Sequence, residues 1–224
     1  MIHKNVNLFA VILFCIGLTG CRTNSLKDID GNVYKTVTIG TQVWMAENLK
    51  TTRYNDGTAI PLVTNFDTWS ASTTDAYCWF NNDSTNKEVY GALYNWYTVN
   101  TKKLCPAGWH VPADAEWTTM ANYLEGENVT DSKLTGGKLK EKGTTHWKSP
   151  NTGATNESGF TALPGGYRSY NGSFNFIEIS GYWWSSTEYS ATNVYFWSIR
   201  YKYNLVYKYI SDKPNGFSVR CLRD

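Results

Sequence analysis

The chain of 224 residues has few of the features that would place it in a membrane or on nucleic acid. Its longest apolar stretch, Leu8 to Leu18, covers about eleven residues, whereas a membrane-spanning helix needs roughly 20. The formal net charge is only +2, and the basic residues are scattered. Because a nucleic-acid surface requires clustered Lys and Arg, no nucleic-acid partner is predicted.

Catalytic side chains are also scarce. The chain has three histidines, and only His110 and His146 lie beyond the N-terminal apolar segment. We expect His110 to satisfy backbone groups in its loop. Serine-nucleophile, zinc and phosphate-loop motifs are absent, so no cofactor or metal is predicted and the chain is not expected to be an enzyme. Glu116 and Glu188 are the one carboxylate pair that a weaker hydrolase interpretation would use.

The N-terminal segment has the features of a processing signal. His3 and Lys4 precede the apolar stretch, and Leu18-Thr19-Gly20-Cys21 fits a bacterial lipobox. The sequence therefore predicts a lipoprotein signal peptide over residues 1–20, acylation of Cys21, a lipidated tether over 21–28 and one domain over 29–224. An uncleaved anchor is the less favoured alternative. Several acyl chains hold a protein firmly to a membrane, which places it in a bacterial cell envelope, with the outer membrane expected.

Aromatic residues are abundant: 10 Trp, 16 Tyr and 9 Phe. This number exceeds what a core alone would need, so some rings are expected at the surface. After a turn at residues 202–204, the segments 194–201 and 205–210 alternate as a hairpin should. One strand face would carry Tyr195, Trp197, Ile199 and Tyr201, and we expect an aromatic face of this hairpin to be exposed.

Helical and strand patterns both occur, which indicates an α+β domain. An opening hairpin is predicted from strands near Val33–Ile39 and Gln42–Met45. Apolar spacing predicts helices over 88–99 and 114–125, with Asp114 capping the second and Glu116 near the positive end of its dipole. The loop region 128–156 is expected to contain at most one short helix, near 132–142. In the closing segment, Phe217, Val219 and Cys221 alternate with Ser218 and Arg220 as in a half-buried strand, which turns Cys221 inward.

Six motifs, in this order along the chain, resemble the Fibrobacter succinogenes major paralogous domain family: WMAENL (44–49), CPAGWHVP (105–112), DAEW (114–117), SGFTALPGGYR (158–168), YWWSSTE (182–188) and GFSVRC (216–221). The family is similar to the C-type-lectin-like fold. This implies two main helices, small antiparallel sheets and long irregular loops.

The activities associated with that fold lack their key residues here. Calcium-dependent lectins use Glu-Pro-Asn and Trp-Asn-Asp tripeptides, and neither is present. Two of the motifs are also similar to formylglycine-generating enzymes, which need two copper-binding cysteines late in the chain. The corresponding stretch, 182–193, has no cysteine. Neither activity is therefore expected.

Five cysteines remain to be assigned. Cys15 lies in the signal peptide and Cys21 is the lipidation site. We expect Cys105 and Cys221 to form a disulfide, as an exported protein permits. Sequences of the resembled family often carry a further cysteine shortly after the position of Cys78, which this chain lacks. Cys78 is thus expected to be a free, buried thiol, with a reactive nucleophile as the weaker alternative.

Binding is the function that these features favour. Aromatic rings beside Asn, Ser, Arg and Lys suit glycans, and Tyr, Trp and Arg also dominate protein interfaces. The sequence predicts a non-catalytic binding module for a glycan or an envelope protein, and a structural or assembly subunit of an envelope complex is the alternative. The binding surface would be the region 182–209 together with the loop 144–156. Its predicted contacts are Tyr182, Trp184, Glu188, Tyr195, Trp197, Arg200, Tyr201, Tyr203 and Tyr207.

Overall fold

The computed structural model describes residues 25–126 and 135–224. The predicted signal peptide and Cys21 lie outside these ranges. The fold is α+β, with short helices and small antiparallel sheets. The helices are α1 (Phe66–Ser70), α2 (Lys87–Tyr90), α3 (Trp96–Asn100), α4 (Asp114–Glu125) and α5 (Thr135–Leu139). The strands are β1 (Ser25–Lys27), β2 (Val33–Ile39), β3 (Gln42–Met45), β4 (Tyr77–Cys78), β5 (Leu93–Tyr94), β6 (Trp109–His110), β7 (Gly165–Arg168), β8 (Phe174–Ile177), β9 (Ser180–Glu188), β10 (Asn193–Arg200), β11 (Val206–Asp212) and β12 (Leu222–Arg223).

Two sheets organise the described residues. The larger has the order β1-β2-β3-β12-β6, so the end of the chain pairs between the opening hairpin and the loop before α4. The smaller has the order β11-β10-β9, and β4–β5 and β7–β8 form separate two-stranded pairs. The predicted hairpins at β2–β3 and β10–β11 are both confirmed. Because β1 pairs with β2, residues 25–27, which the sequence places in the tether, belong to the folded domain.

The predicted disulfide is confirmed. Cys105 and Cys221 are bonded, with their Cα atoms 5.9 Å apart and 116 positions apart in sequence. Both half-cystines are buried. The bond fastens the loop before α4 to the end of the chain. Cys78 is a free, buried thiol, as predicted, and burial raises its pKa to about 12.

The helix α4 has the predicted bounds, but its cap differs from the prediction. Asp114 is the first helical residue and does not cap the helix. The carboxylate of Glu116 instead accepts a hydrogen bond from the backbone N–H of Ala113 at 2.7 Å. The Asp114 carboxylate is engaged elsewhere, accepting from the Trp197 indole at 3.1 Å and from the Lys208 ammonium at 2.6 Å. The helix is therefore tied to β10 and β11 through its first turn.

The predicted helix over 88–99 is wrong. The segment contains α2, the strand β5 and the start of α3. Gly91 interrupts it with a φ of +74°, and a Cβ there would lie 2.8 Å from Leu49 O. Tyr94 then pairs with Tyr77 on one side and Phe217 on the other. Residues 92–96 are all buried, rather than only those on one helical face, which is why the apolar spacing misled the prediction.

The predicted half-buried strand at 217–221 is also corrected. Cys221 does point inward, but Ser218 and Arg220 are each only 1 % exposed. The guanidinium of Arg220 donates to Asn48 Oδ1 at 2.9 Å and to the carbonyl oxygens of Phe160 and Thr161. The segment is thus enclosed on both sides, and only Leu222–Arg223 is a regular strand.

Much of the aromatic content lies in the core rather than at the surface. Seven tryptophans are less than 2 % exposed. Trp117 on α4 stacks on Trp197 with a centroid separation of 5.9 Å, which joins the helix to one face of the small sheet. On the other face Trp184 packs 4.3 Å from Phe217. Both faces of the β9–β10–β11 sheet are therefore covered at its centre.

Three buried cations bind main-chain oxygens, and their hydrogen bonds in the described chain involve no carboxylate. Arg168 donates to the carbonyls of residues 63, 64, 65 and 172 and stacks 4.4 Å from the Trp69 ring. Lys140 donates to the carbonyls of Thr152 and Tyr203 at 2.7 and 2.9 Å, and burial lowers its pKa to about 8. Burial likewise lowers the pKa of Arg220 to about 9. These cations fix loops to the core, because removing a cation would leave each bonded oxygen buried without a hydrogen-bond donor.

Candidate functional site

A groove of about 380 Å³ lies between the β7–β8 hairpin and one face of the β9–β10–β11 sheet. We call it the aromatic groove. Its rings come from separate elements of the chain: Tyr167, Tyr170, Phe176, Tyr182, Phe196 and Phe217. Its polar groups are Ser169, Asn193, Arg200, Ser211, Asp212 and Asn215.

The register of the sheet explains why these rings meet. Alternate residues of a strand share a face, and Phe196 lies opposite Tyr209 while Ser198 lies opposite Tyr182 and Tyr207. The Tyr182 ring packs 5.4 Å from Phe217, and the Phe196 ring packs 4.9 Å from Phe217. The packed rings form the floor of the groove, and burial raises the pKa of Tyr182. Its phenol therefore remains protonated at neutral pH.

A strip of tyrosines continues the groove toward the β10–β11 turn. Tyr207 and Tyr209 are stacked, with centroids 5.8 Å apart and an interplanar angle of 9°. Tyr203 meets Tyr207 edge-on at 6.3 Å, and Tyr209 lies 5.9 Å from Phe196. Tyr203 and Tyr209 are 47 % and 45 % exposed. The strip therefore presents ring surface to solvent beside the groove.

Polar groups with unused hydrogen-bonding capacity stand at both ends of the aromatic groove. The Arg200 guanidinium lies 5.6 Å from the Tyr207 ring centroid and makes no side-chain hydrogen bond to any described residue. At the other end Asp212 Oδ1 accepts from Asn193 Nδ2 at 3.0 Å. Within the described part of the chain, Asp212 Oδ2 has no hydrogen-bond partner. The N–H donors of Arg200 and the unbonded oxygen of Asp212 thus flank the rings of the groove.

One wall of the groove holds a strained residue. Phe176 has a φ of +62°, a conformation that bulky side chains rarely adopt, and its ring is 49 % exposed. The ring is stacked on Tyr167 with a centroid separation of 6.0 Å. Such backbone strain concentrates at binding and catalytic sites, because the surrounding structure must hold it in place.

The predicted ligand contacts divide into three groups. Tyr203, Tyr207, Arg200 and the edge of Tyr182 lie at the aromatic groove or its tyrosine strip. Trp184 and Trp197 are 0 % and 6 % exposed. The Trp184 indole donates to the carbonyl of Tyr94 at 2.7 Å. The prediction that these two tryptophans are surface contacts is wrong, because their rings are packed in the core.

The third group lies outside the groove. Tyr195 packs against Tyr189 and lies 4.5 Å from Lys208 Nζ, on the sheet face opposite Phe196. Glu188 pairs with Lys213 at 2.6 Å. Tyr201 packs against the core on the α4 side of the sheet. Its carbonyl accepts from Thr152 N at 2.8 Å, which fastens the predicted loop 144–156 near the β10–β11 turn.

Sequence reasoning missed several rings and polar groups of the groove: Tyr167, Tyr170, Phe176, Asp212, Asn215 and Phe217. A signal was available for part of this set. Aromatic residues flank the polar turn 169–173, which connects β7 to β8. A turn bordered by rings is a usual position for a binding residue, since loops carry function on a rigid scaffold.

The candidate catalytic residues serve structural contacts. His110 was expected to satisfy backbone groups, but its ring bonds two carboxylates: Nδ1 contacts Asp224 Oδ1 at 2.6 Å and Nε2 contacts Glu116 Oε1 at 2.9 Å. Glu116 also binds the α4 N-terminus, and Glu188 is held by Lys213. His146 bonds Glu141 at 2.8 Å. In residues 25–126 and 135–224, no group of three or more His, Cys, Asp or Glu side chains is arranged to hold a metal ion.

Comparison with known proteins gives a family but no close relative of known function. The family model described as Fibrobacter succinogenes major domain matches residues 37–223. No curated protein and no solved structure matches the chain significantly. Among the described residues, no helix has the length and apolar character needed to cross a membrane.

Proposed function

Because the chain belongs to the Fibrobacter succinogenes major domain family and carries the aromatic groove, we propose that it is a non-catalytic glycan-binding module. The single observation that supports this most directly is the combination of exposed rings with unused polar groups. Flat rings cover the C–H faces of sugars, and Arg200 and Asp212 provide a donor and an acceptor for hydroxyl groups.

The fold proposal is C-type-lectin-like, as the sequence resemblance implies. Its support is the set of small antiparallel sheets, the few helices and the irregular segment from α5 to β7. An experimental structure, superposed on lectin-like domains, tests it. A chain path that differs from theirs in strand order would contradict it.

The cellular proposal is a lipoprotein anchored through Cys21 in a bacterial cell envelope, with the outer membrane as its location. Its support is the lipobox and the short apolar segment before it. Metabolic labelling with an alkyne fatty acid tests the anchor. Label should appear on the wild-type chain and be absent from Cys21→Ser, and equal labelling of both would contradict it.

Glycan binding is tested with the full-length chain, purified in detergent, on a glycan array and then by titration calorimetry. Replacing Tyr207 with Ala removes a ring of the tyrosine strip and should weaken binding about tenfold, the effect expected of a central contact. Tyr123→Ala is the matched control, because Tyr123 is 62 % exposed on α4 and lies outside the groove. No binding to any glycan by the folded chain would contradict the proposal.

The second candidate is an envelope protein as partner, either bound transiently or as a fixed subunit. The edge strand β11 favours it: among the residues that the structure describes, 206–212 pair only with β10, and Ile210 on this strand is 46 % exposed. An edge strand can accept a further strand from another protein. Purification from native membranes without crosslinking separates the cases, because a fixed subunit co-purifies in constant stoichiometry.

A further inference from the structure

A second cavity, of about 310 Å³, adjoins the aromatic groove. Tyr170 and Asp212 line both, so the two cavities meet at these residues. The remaining walls of the second cavity are Ser70, Tyr97, Ala191, Thr192, Lys213 and Pro214.

Tyr170 forms the boundary between the cavities and is held there by a buried side chain. Its ring is 53 % exposed, while Asn215 is only 6 % exposed. The backbone N–H of Tyr170 donates to Asn215 Oδ1 at 2.6 Å, and Asn215 Nδ2 donates to Ser211 Oγ at 2.7 Å. The turn that carries Tyr170 is thereby fastened to the end of β11, and its position relative to both cavities is fixed.

Asp212 also lines both cavities. One of its oxygens is bonded to Asn193, and Oδ2 is unoccupied within the described residues. The cation of the second cavity is already neutralised, because Lys213 pairs with Glu188 at 2.6 Å and lies 4.8 Å from the Trp96 ring. The second cavity thus holds no unpaired cation that would select an anionic ligand.

The sizes of the cavities limit what can fill them. Each lies near the lower end of the range of about 300–1,000 Å³ that drug-sized ligands occupy. A single small unit fills one cavity, and a ligand that fills both must pass over Tyr170. A peptide recognised through its backbone would need a strand edge, whereas the rings on the floor of the aromatic groove lie on the face of the β9–β10–β11 sheet. The second cavity lies beyond the end of β11, at residues 212–214.

We propose that the ligand is a linear glycan whose chain crosses Tyr170 and occupies both cavities. This inference rests on the proposed glycan-binding function and deepens it. The site binds an internal stretch of a polysaccharide, with Tyr170 as the ring beneath the linkage between two sugar units. A monosaccharide can use only one of the two cavities.

The experiment measures affinity against chain length with the full-length chain. Mono-, di-, tetra- and hexasaccharides of gluco, xylo, manno and chito type are titrated into wild type, Tyr170→Ala and Tyr170→Phe. For the best series, affinity should rise at least tenfold from mono- to tetrasaccharide. Tyr170→Ala should remove this gain with length, losing about tenfold for the tetrasaccharide and much less for the monosaccharide, and Tyr170→Phe should retain wild-type affinities. Tyr123→Ala controls for loss of an exposed ring elsewhere.

The possible failures are distinct. If saccharides bind with an affinity that does not depend on length, or Tyr170→Ala weakens all lengths equally, the two-cavity inference is overturned and glycan binding stands. If no saccharide binds to a chain with an unchanged melting temperature, both proposals are overturned.

Discussion

The guanidinium of Arg220 donates from Nε to the side-chain oxygen of Asn48 at 2.9 Å, across 172 positions of sequence. The same oxygen accepts from the Trp183 indole at 2.9 Å. One amide therefore joins the opening motif, the strand β9 and the closing segment. Since Arg220 and Asn48 are both buried, their contact lies in the interior that supports the whole domain.

Replacing Arg220 with Met should destabilise the protein by roughly 3 kcal/mol or more. The change leaves the carbonyl oxygens of Phe160 and Thr161 without their donor, and each such buried group costs about 1–3 kcal/mol. Asn48 Oδ1 also loses one of its two donors. Urea unfolding measures the difference. Arg53→Met is the matched control, because the Arg53 side chain is 58 % exposed and its surface ion pair contributes about 0–1 kcal/mol. Equal losses in both variants would contradict the argument.

Stability should depend on pH through His110. Burial disfavours the charged ring, but hydrogen bonds with Asp224 and Glu116 outweigh it and raise the pKa of His110 above its ordinary value. A raised folded-state pKa stabilises fully below the unfolded pKa of about 6.5, and this contribution is lost as the pH rises through the folded value. The free energy of unfolding of wild type relative to His110→Gln should therefore be larger at about pH 5.5 than at about pH 9. A pH-independent difference would contradict this.

Removing the disulfide should lower stability in proportion to the long loop that it closes. Cys105 and Cys221 are separated by 116 positions, for which loop-closure entropy predicts roughly 4–5 kcal/mol. Urea unfolding of the Cys105→Ser, Cys221→Ser double variant tests this. Wild type in reductant should unfold at the same urea midpoint as the double variant in the absence of reductant. A wild-type midpoint that reductant does not change would count against the prediction.

The Cys78 thiol should react only when the protein unfolds. It is buried, and its pKa of about 12 leaves almost no thiolate at neutral pH. Iodoacetamide labelling followed by peptide mapping should show Cys78 unmodified in native protein and modified in urea. Rapid labelling of the native protein would instead support the reactive-nucleophile alternative.

Lys140→Met should loosen the loop 144–156 and the β10–β11 turn together. The ammonium of Lys140 joins the carbonyls of Thr152 and Tyr203, and methionine cannot donate to either. Hydrogen exchange should therefore become faster in both segments, with a loss of about 1–3 kcal/mol in stability. Lys148→Met is the control, because the Lys148 side chain is exposed. Faster exchange in only one segment would show that Lys140 does not couple them.

Local sequence patterns correctly predicted the elements that have one buried and one exposed face. The same patterns gave wrong predictions where all sides of a segment are buried. The helix 114–125 was predicted with its exact bounds, because Trp117, Met120 and Leu124 are buried on one side only. Residues 92–96 are buried all around, so their periodicity carried no information about helix or strand.

The aromatic groove could be predicted only in part. Arg200, Tyr203 and Tyr207 were found because they stand on one hairpin with a regular alternation. Tyr170 meets Asn215 across 45 positions, and no local pattern encodes that contact. Trp184 and Trp197 were assigned to the surface because composition does not say which ring of an aromatic strand faces inward.

The carbonyl contacts of the three buried cations have an evolutionary implication. The bonded oxygens are backbone carbonyls, which every amino acid possesses, and their donors are Arg168, Lys140 and Arg220. The segments that supply these oxygens must therefore keep their backbone path, but their side chains can change. Loops beside the groove can then change in sequence while the hydrogen bonds that hold them are kept. A scaffold held in this way tolerates sequence change in its loops, because these contacts do not depend on the side chains of the residues that supply the oxygens.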